Sequence, residues 1–185
     1  LTLAAVTGRE FTYDLVGAMT EHEDESLLLL VEEALDARVV KEAERAGEYR
    51  FTRALIQEML LGEVSTTRKV RLHGRIAEAL EELYGSRAER NAADLGRHFL
   101  ESSTLTRSHA GKAARYSRLA AEQAGAANAR DEAARHYEDC IAIVSDSEDG
   151  LGEDLVALLT AAGRCYRNAA EWRAAWRSLM QAIGL

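Results

Sequence analysis

His136 and Cys140 stand four residues apart. On a helix that spacing puts both side chains on one face, and zinc accepts both types. Glu132 and His136 repeat the spacing. Further upstream, Glu21, His22, Glu23, Asp24 and Glu25 crowd into one turn that could attract a cation. Each group also has a plainer reading. Cys140 falls at a small position of a packed helical pattern, where a thiol behaves as a core residue. Glu132 with His136 is an ordinary helix-surface pair, and acidic residues at a helix start are what the helix dipole favours. A phosphate loop needs a glycine, four residues, then Gly-Lys and a hydroxyl residue. Gly111 and Lys112 supply the middle of that motif, but Thr106 stands in the place of the first glycine and Ala113 in that of the hydroxyl. No Ser/His/Asp or Cys/His set assembles with any specificity. The residues point away from catalysis by this chain.

Two further groups suit binding instead. Arg68, Lys69 and Arg71, with Arg75 beyond them, form a basic cluster at the start of a helical stretch. They could meet an anion or an acidic partner, or they could form a solvated face. Trp172 and Trp176 are four apart near the end of the chain. They could present a surface to a ligand or partner, pack in a core, or cover a helical stack that continues past this segment.

These residues need elements to hold them, and composition restricts the choice. The chain has 185 residues, 47% hydrophobic and 29% charged, which are values of a folded protein. It contains 13 glycines and no proline, which favours helices over a loop-rich β-sandwich. The longest aliphatic run, Leu27 to Val31, is far short of the ~20 residues of a membrane span. No basic-then-apolar leader opens the sequence and its first residue is Leu, as expected of a piece cut from a longer protein. Two cysteines, Cys140 and Cys165, make no disulfide framework and suit a reducing, cytoplasmic compartment. Net charge is −8, and residues 1–64 hold 6 basic against 14 acidic side chains. A nucleic-acid grip needs a positive face, so the N-terminal third has the wrong sign for it.

Periodicity predicts helices almost throughout. LTLAAVTG gives a short turn or two ended by Gly8. Thr12 caps TYDLVGAMT. A third helix opens at Asp24 or Glu25, with Leu27, Leu28, Val31, Ala34, Leu35 and Val39 on one face. VVKEAE and YRFT then read as two strands around a glycine turn, the one convincing strand pair. Thr52 is expected to cap a helix carrying Leu55, Ile56, Met59 and Leu60. Ser65 and Thr66 cap the next, whose face runs from Val70 through Ile76 and Leu80 to Tyr84 before Gly85 stops it. Beyond residue 86 only helices are expected. Two of those units match at an offset of 42 residues, pairing Ala121 with Gly163, Ala133 with Ala175, and Tyr137 with Leu179. The ~34-residue tetratricopeptide period is shorter by the length of SDSEDGLG, residues 145–152, which reads as an inserted loop. Small residues at these positions let paired helices approach, and Tyr137 or Leu179 fills the gap to the next unit.

The run GEYRFTRALIQEMLLGEVSTTRKVRLHGRIAEALEELYG resembles the segment that follows the nucleotide-binding module in large bacterial signal-transduction (STAND) ATPases. These are the relatives of the maltose-regulon activator, found among LuxR-type regulators and ATPase-linked adenylate or guanylate cyclases. AAVTGREFTYDLVGAM is similar to the opening helix pair of the same winged-helix module, and KAARYSRLAAEQAGAANARDEAARHYEDCIAI to the helical repeats that follow it. The resemblance implies that the winged helix packs on ADP bound by the upstream module, and that the repeats sense an inducer or partner. In that family a histidine follows the Phe-Thr or Phe-Ser pair and lies near the ADP phosphates. Arg53 holds that position here, and an arginine can meet a phosphate bidentately.

The expected architecture is therefore mainly all-α: a winged helix with one small β-hairpin at 1–85, then a right-handed tetratricopeptide-like array at 86–185. The expected role is a non-catalytic regulatory segment with no cofactor of its own, in a parent protein that uses ATP and ADP. Its partners would be the upstream nucleotide-binding domain and an inducer or protein on the repeats, without nucleic acid or membrane. The alternative is a DNA-binding winged-helix regulator with a helical ligand or dimerisation domain.

Overall fold

The structure, a computed structural model, describes residues 1–20, 23–147, 154–168 and 172–183. It is mostly helical, with one small antiparallel sheet. The chain divides into two compact units, Leu1–Leu83 and Tyr84–Leu185. The acidic turn at Glu21 and His22, and most of the SDSEDGLG loop, lie outside the described residues.

The first unit begins with α1 (Thr2–Thr7), β1 (Glu10–Thr12), α2 (Tyr13–Met19) and α3 (Asp24–Asp36). It continues with β2 (Val40–Glu42), β3 (Glu48–Phe51), α4 (Ala54–Gly62) and α5 (Thr66–Tyr84). Thr12 caps α2 as expected, its hydroxyl accepting from the Leu15 amide at 3.2 Å. The hairpin β2–β3 also forms where alternation predicts it. It gains a partner that the sequence reading missed: β1 pairs with β3, giving the order β1-β3-β2. The segment EFT is too short to show a period of two, and only its pairing of Phe11 with Tyr49 and Glu10 with Arg50 reveals it as a strand.

That third strand completes the aromatic core. The Phe11 ring lies 5.7 Å from both Tyr49 and Phe51. Ala4 and Ala5 of α1, Leu27, Val31 and Ala34 of α3, and Ile56 of α4 pack on the same cluster. The opposite face carries the cross-strand row Glu10, Arg50 and Lys41, the alternation expected of a sheet buried on one side.

Three helix assignments need correction. Thr52 does not cap α4: its hydroxyl donates to the Arg38 carbonyl at 2.8 Å, leaving Arg53 in the extended N-cap position. Arg38 adopts φ 54°, and the hydroxyl is drawn to the carbonyl of this tight turn rather than forward along the chain. Leu28 of α3 is exposed, because Leu27, Val31 and Ala34 already fill the contact face. Leu55 and Met59 point away from the core for the same reason, while Ile56 and Leu60 pack on it.

The second unit opens with a 3₁₀ segment, Gly85–Asn91, where Gly85 takes φ 50° and ends the preceding helix. Then come α6 (Ala92–Ser102), α7 (Arg107–Ala126), α8 (Arg130–Ser145), α9 (Leu155–Asn168) and α10 (Trp172–Ile183). Each packs on the next in line. The short contacts fall at small residues: a Cβ at Gly96 would sit 3.2 Å from the Ser117 amide nitrogen, and one at Gly163 only 2.8 Å from Leu179 Cγ. Tyr137 borders two clusters, one with Ala133, Ala134 and Tyr166, the other with Cys140, Val144 and Leu158, and so ties α8 to α9.

Candidate functional site

Arg53 is exposed at the head of α4, where the chain leaves β3. The sheet fixes its backbone, since Phe51 is bound through the Arg9 carbonyl and Thr52 through Val39. On the same helix Leu55 is 63% exposed and Met59 66%. One turn apart, they form a short exposed apolar strip on α4.

The basic cluster starts α5. Arg68, Arg71 and Arg75 recur at helical spacing on one side, with Lys69 a step around. Three cations near the positive end of a helix dipole cost it a few tenths of a kcal/mol rather than stabilising it. Arg75 has a structural duty: its Nη2 donates to the Met19 carbonyl at 2.9 Å and so satisfies the C-terminal end of α2. Arg68 and Arg71 are exposed and Lys69 is half-buried. An apolar groove of about 430 Å³ lies elsewhere in this unit, with Leu3, Val16, Leu27 and Leu30 among its walls.

In the second unit Trp176 is 66% exposed, which removes it from any core in this chain, and Met180 and Ile183 continue its stripe. The side chain of Trp172 lies outside the described residues. The possible His136–Cys140 chelate does not form. Cys140 is fully buried and its thiol donates to the Ala114 carbonyl at 3.3 Å, whereas His136 turns to Glu132 and Asp139 at 3.8 and 4.0 Å. Among the described residues no three or more His, Cys, Asp and Glu side chains gather as a metal site would require.

Sequence reasoning missed the polar features of α6 and α7. Ser102 and His109 are both buried, with Oγ and Nδ1 2.8 Å apart, and Ser102 also donates to the Phe99 carbonyl. The His109 ring meets the edge of Phe99, whose other contacts include Tyr116 stacked at 5.8 Å. Nearby, Asp94 accepts from Arg97 at 2.9 Å and from the Tyr84 hydroxyl at 3.2 Å, and Arg97 also reaches the buried His98. Ser102 and His109 sit seven positions apart and Tyr84 and Asp94 ten, each pair on different elements, so no local motif marks them; Asp94, Arg97 and His98 share α6 at helix-neighbour spacing.

Asp94 and Arg97 form one wall of a cleft of about 400 Å³ whose other wall, on α8, is Glu132, His136 and Asp139. Partial burial raises the Asp139 carboxyl above its ordinary value; His136 pulls it back, and Glu138 pushes it up again. The cleft can hold a positively charged group; it has no nucleophile. Comparison with protein families, with curated proteins and with solved structures finds no match.

Proposed function

We propose that this chain is a non-catalytic regulatory segment of a multidomain signal-transduction ATPase. In this reading the first unit is a winged helix that holds the nucleotide-bound resting state. The second is a tetratricopeptide-like array that receives an inducer or a protein partner. Binding on the array favours the open state only by as much as it prefers that state.

One observation carries the reading: α4 opens on the exposed Arg53 and leaves Leu55 and Met59 exposed as well, apolar side chains that this unit's own core does not use. Such a strip suits another protein module, and an arginine at its end suits a phosphate held by that module. The nucleotide would be ADP or ATP of the upstream domain, with Arg53 as the residue of this chain that reaches it. The test is the nucleotide content of the purified parent protein. Arg53→Ala is expected to lose bound ADP about ten-fold or more, since a charged hydrogen bond to phosphate is worth roughly 1.5–3 kcal/mol. Arg53→His should retain it, as should the exposed control Arg45→Ala. Equal content in Arg53→Ala and the control would remove Arg53 from the nucleotide site. A salt-sensitive shift of duplex DNA by the isolated chain would favour the DNA-binding alternative instead.

A further inference from the structure

The charged cleft between α6 and α8 is half of a longer feature. Leu100 lines it, and Leu100 also lines a second cavity of about 720 Å³ that continues between the same two helices. On the α6 side the walls run from Asp94 and Arg97 through Leu100 to Ser103; on the α8 side they run from Glu132 and Asp139 to Ile143 and Asp146. The N-terminal parts of the two helices thus face each other, and so do their C-terminal parts, as expected when both pack against the intervening α7. The two ends differ in chemistry. One is rimmed by the carboxylates of Asp94, Glu132 and Asp139, the last two beside the His136 imidazole. The other is floored by Leu100, Leu105, Ala142 and Ile143, with the hydroxyls of Ser103, Thr104 and Thr106 around it and one charge of each sign, Arg107 and Asp146, on its walls. Arg97 does not tip the balance at the charged end, because it is already engaged by Asp94 at 2.9 Å.

We propose that this α6–α8 groove docks a basic peptide segment of a protein partner, its cationic side chain between Glu132 and Asp139 and a bulky apolar side chain on Leu105 and Ile143. Charge complementarity at the Glu132 and Asp139 end selects the occupant: an acidic segment would meet those two carboxylates with repulsion. The groove also sets the spacing. From His136 to Ile143 a helix rises roughly 10 Å, which an extended peptide covers in about three residues. The recognised pattern is therefore Lys or Arg, then Leu, Met or Phe about three positions further on. The inference rests on the reading of the second unit as a partner-binding array and names the partner's chemistry.

The test is fluorescence anisotropy on the whole chain at low salt. The probe is a fluorescein-labelled peptide of about ten residues, with arginine and lysine at one end, a Ser-Gly spacer, and leucine and phenylalanine at the other. The control probe replaces the two basic residues with glutamate. The basic probe is expected to bind at least about ten-fold more tightly, and Glu132→Lys with Asp139→Lys should abolish that preference. Leu105→Glu should weaken the basic probe several-fold, and Glu58→Lys in the first unit should leave it unchanged. Unaltered circular dichroism melts show that the variants fold. Equal affinity for the two probes, no binding of either, or retention of the preference in the double variant each overturn the proposal. These outcomes do not depend on nucleotide: ADP retention by the parent protein tests the role of the first unit separately.

Discussion

Gly163 lies directly beneath Leu179: a Cβ added at 163 would come within 2.8 Å of the Leu179 Cγ and 3.4 Å of the Ala175 carbonyl oxygen. The absence of a side chain on α9 lets α10 close on it. Gly163→Val is expected to lower stability by about 1–3 kcal/mol through overpacking. Gly111 is the contrast, a glycine in α7 with nothing within 4 Å of the added atom. Gly111→Ala should instead stabilise by up to about 1 kcal/mol, because alanine is the better helix former. Chemical denaturation of the two variants measures both signs, and shifts of the same sign would show that the Gly163 contact does not govern packing.

Tyr13 and Tyr84 should ionise late. The Tyr13 hydroxyl, bonded to the Asp24 carboxylate at 2.7 Å, is pushed up to about 12 chiefly by that bond. Burial, then the Asp94 charge, takes Tyr84 to about 12 as well. Both values exceed the ordinary 10, so the folded state favours the protonated phenols. Their contribution to stability is complete below pH 10 and is lost as pH rises toward 12. Absorbance titration near 295 nm of the wild type, Tyr13→Phe and Tyr84→Phe identifies the two. Asp24→Asn should bring Tyr13 back toward 10, whereas Asp94→Asn should move Tyr84 less, since its burial persists.

Arg75→Ala should cost the first unit about 0.5–1.5 kcal/mol, the ordinary worth of the hydrogen bond from its guanidinium to the Met19 carbonyl. Arg71→Ala, one turn earlier on the exposed surface of α5, should stay within about 0.5 kcal/mol of wild type. Thermal melting of the two single variants separates them. An equal loss for both would mean that the Arg75 bond is not the source.

Cys140 should resist thiol reagents in the native protein and become reactive only on unfolding, because it is fully buried and donates to the Ala114 carbonyl. Cys140→Asp should destabilise by roughly 3 kcal/mol or more, by burying a carboxylate against α7 without a partner cation. Added zinc should leave the melting temperature unchanged. A zinc-dependent rise that vanishes in His136→Ala would restore the chelate.

The chain's local features were legible one residue at a time. Periodicity located the helices from α3 to α10, Thr12 announced its cap, and the alternation of Tyr49 and Phe51 gave the hairpin. These are nearest-neighbour properties, fixed by side-chain spacing and by backbone groups a few residues away. Small residues such as Gly163 and Ala133 stood out for a related reason: close helix contacts demand them at set places, whatever surrounds them. Tertiary structure decided the rest. Glu10–Thr12 became a strand because β3 offered it an edge, and Thr52 turned back to Arg38 because the chain bends there into φ 54°. Which of Leu27 and Leu28 is buried depended on which side of α3 the sheet occupies. The groove between α6 and α8 exists only because α7 holds apart two helices 38 residues distant in their starts, Ala92 and Arg130. Pairing across such distances is set by the shapes of assembled surfaces, which no window of sequence contains.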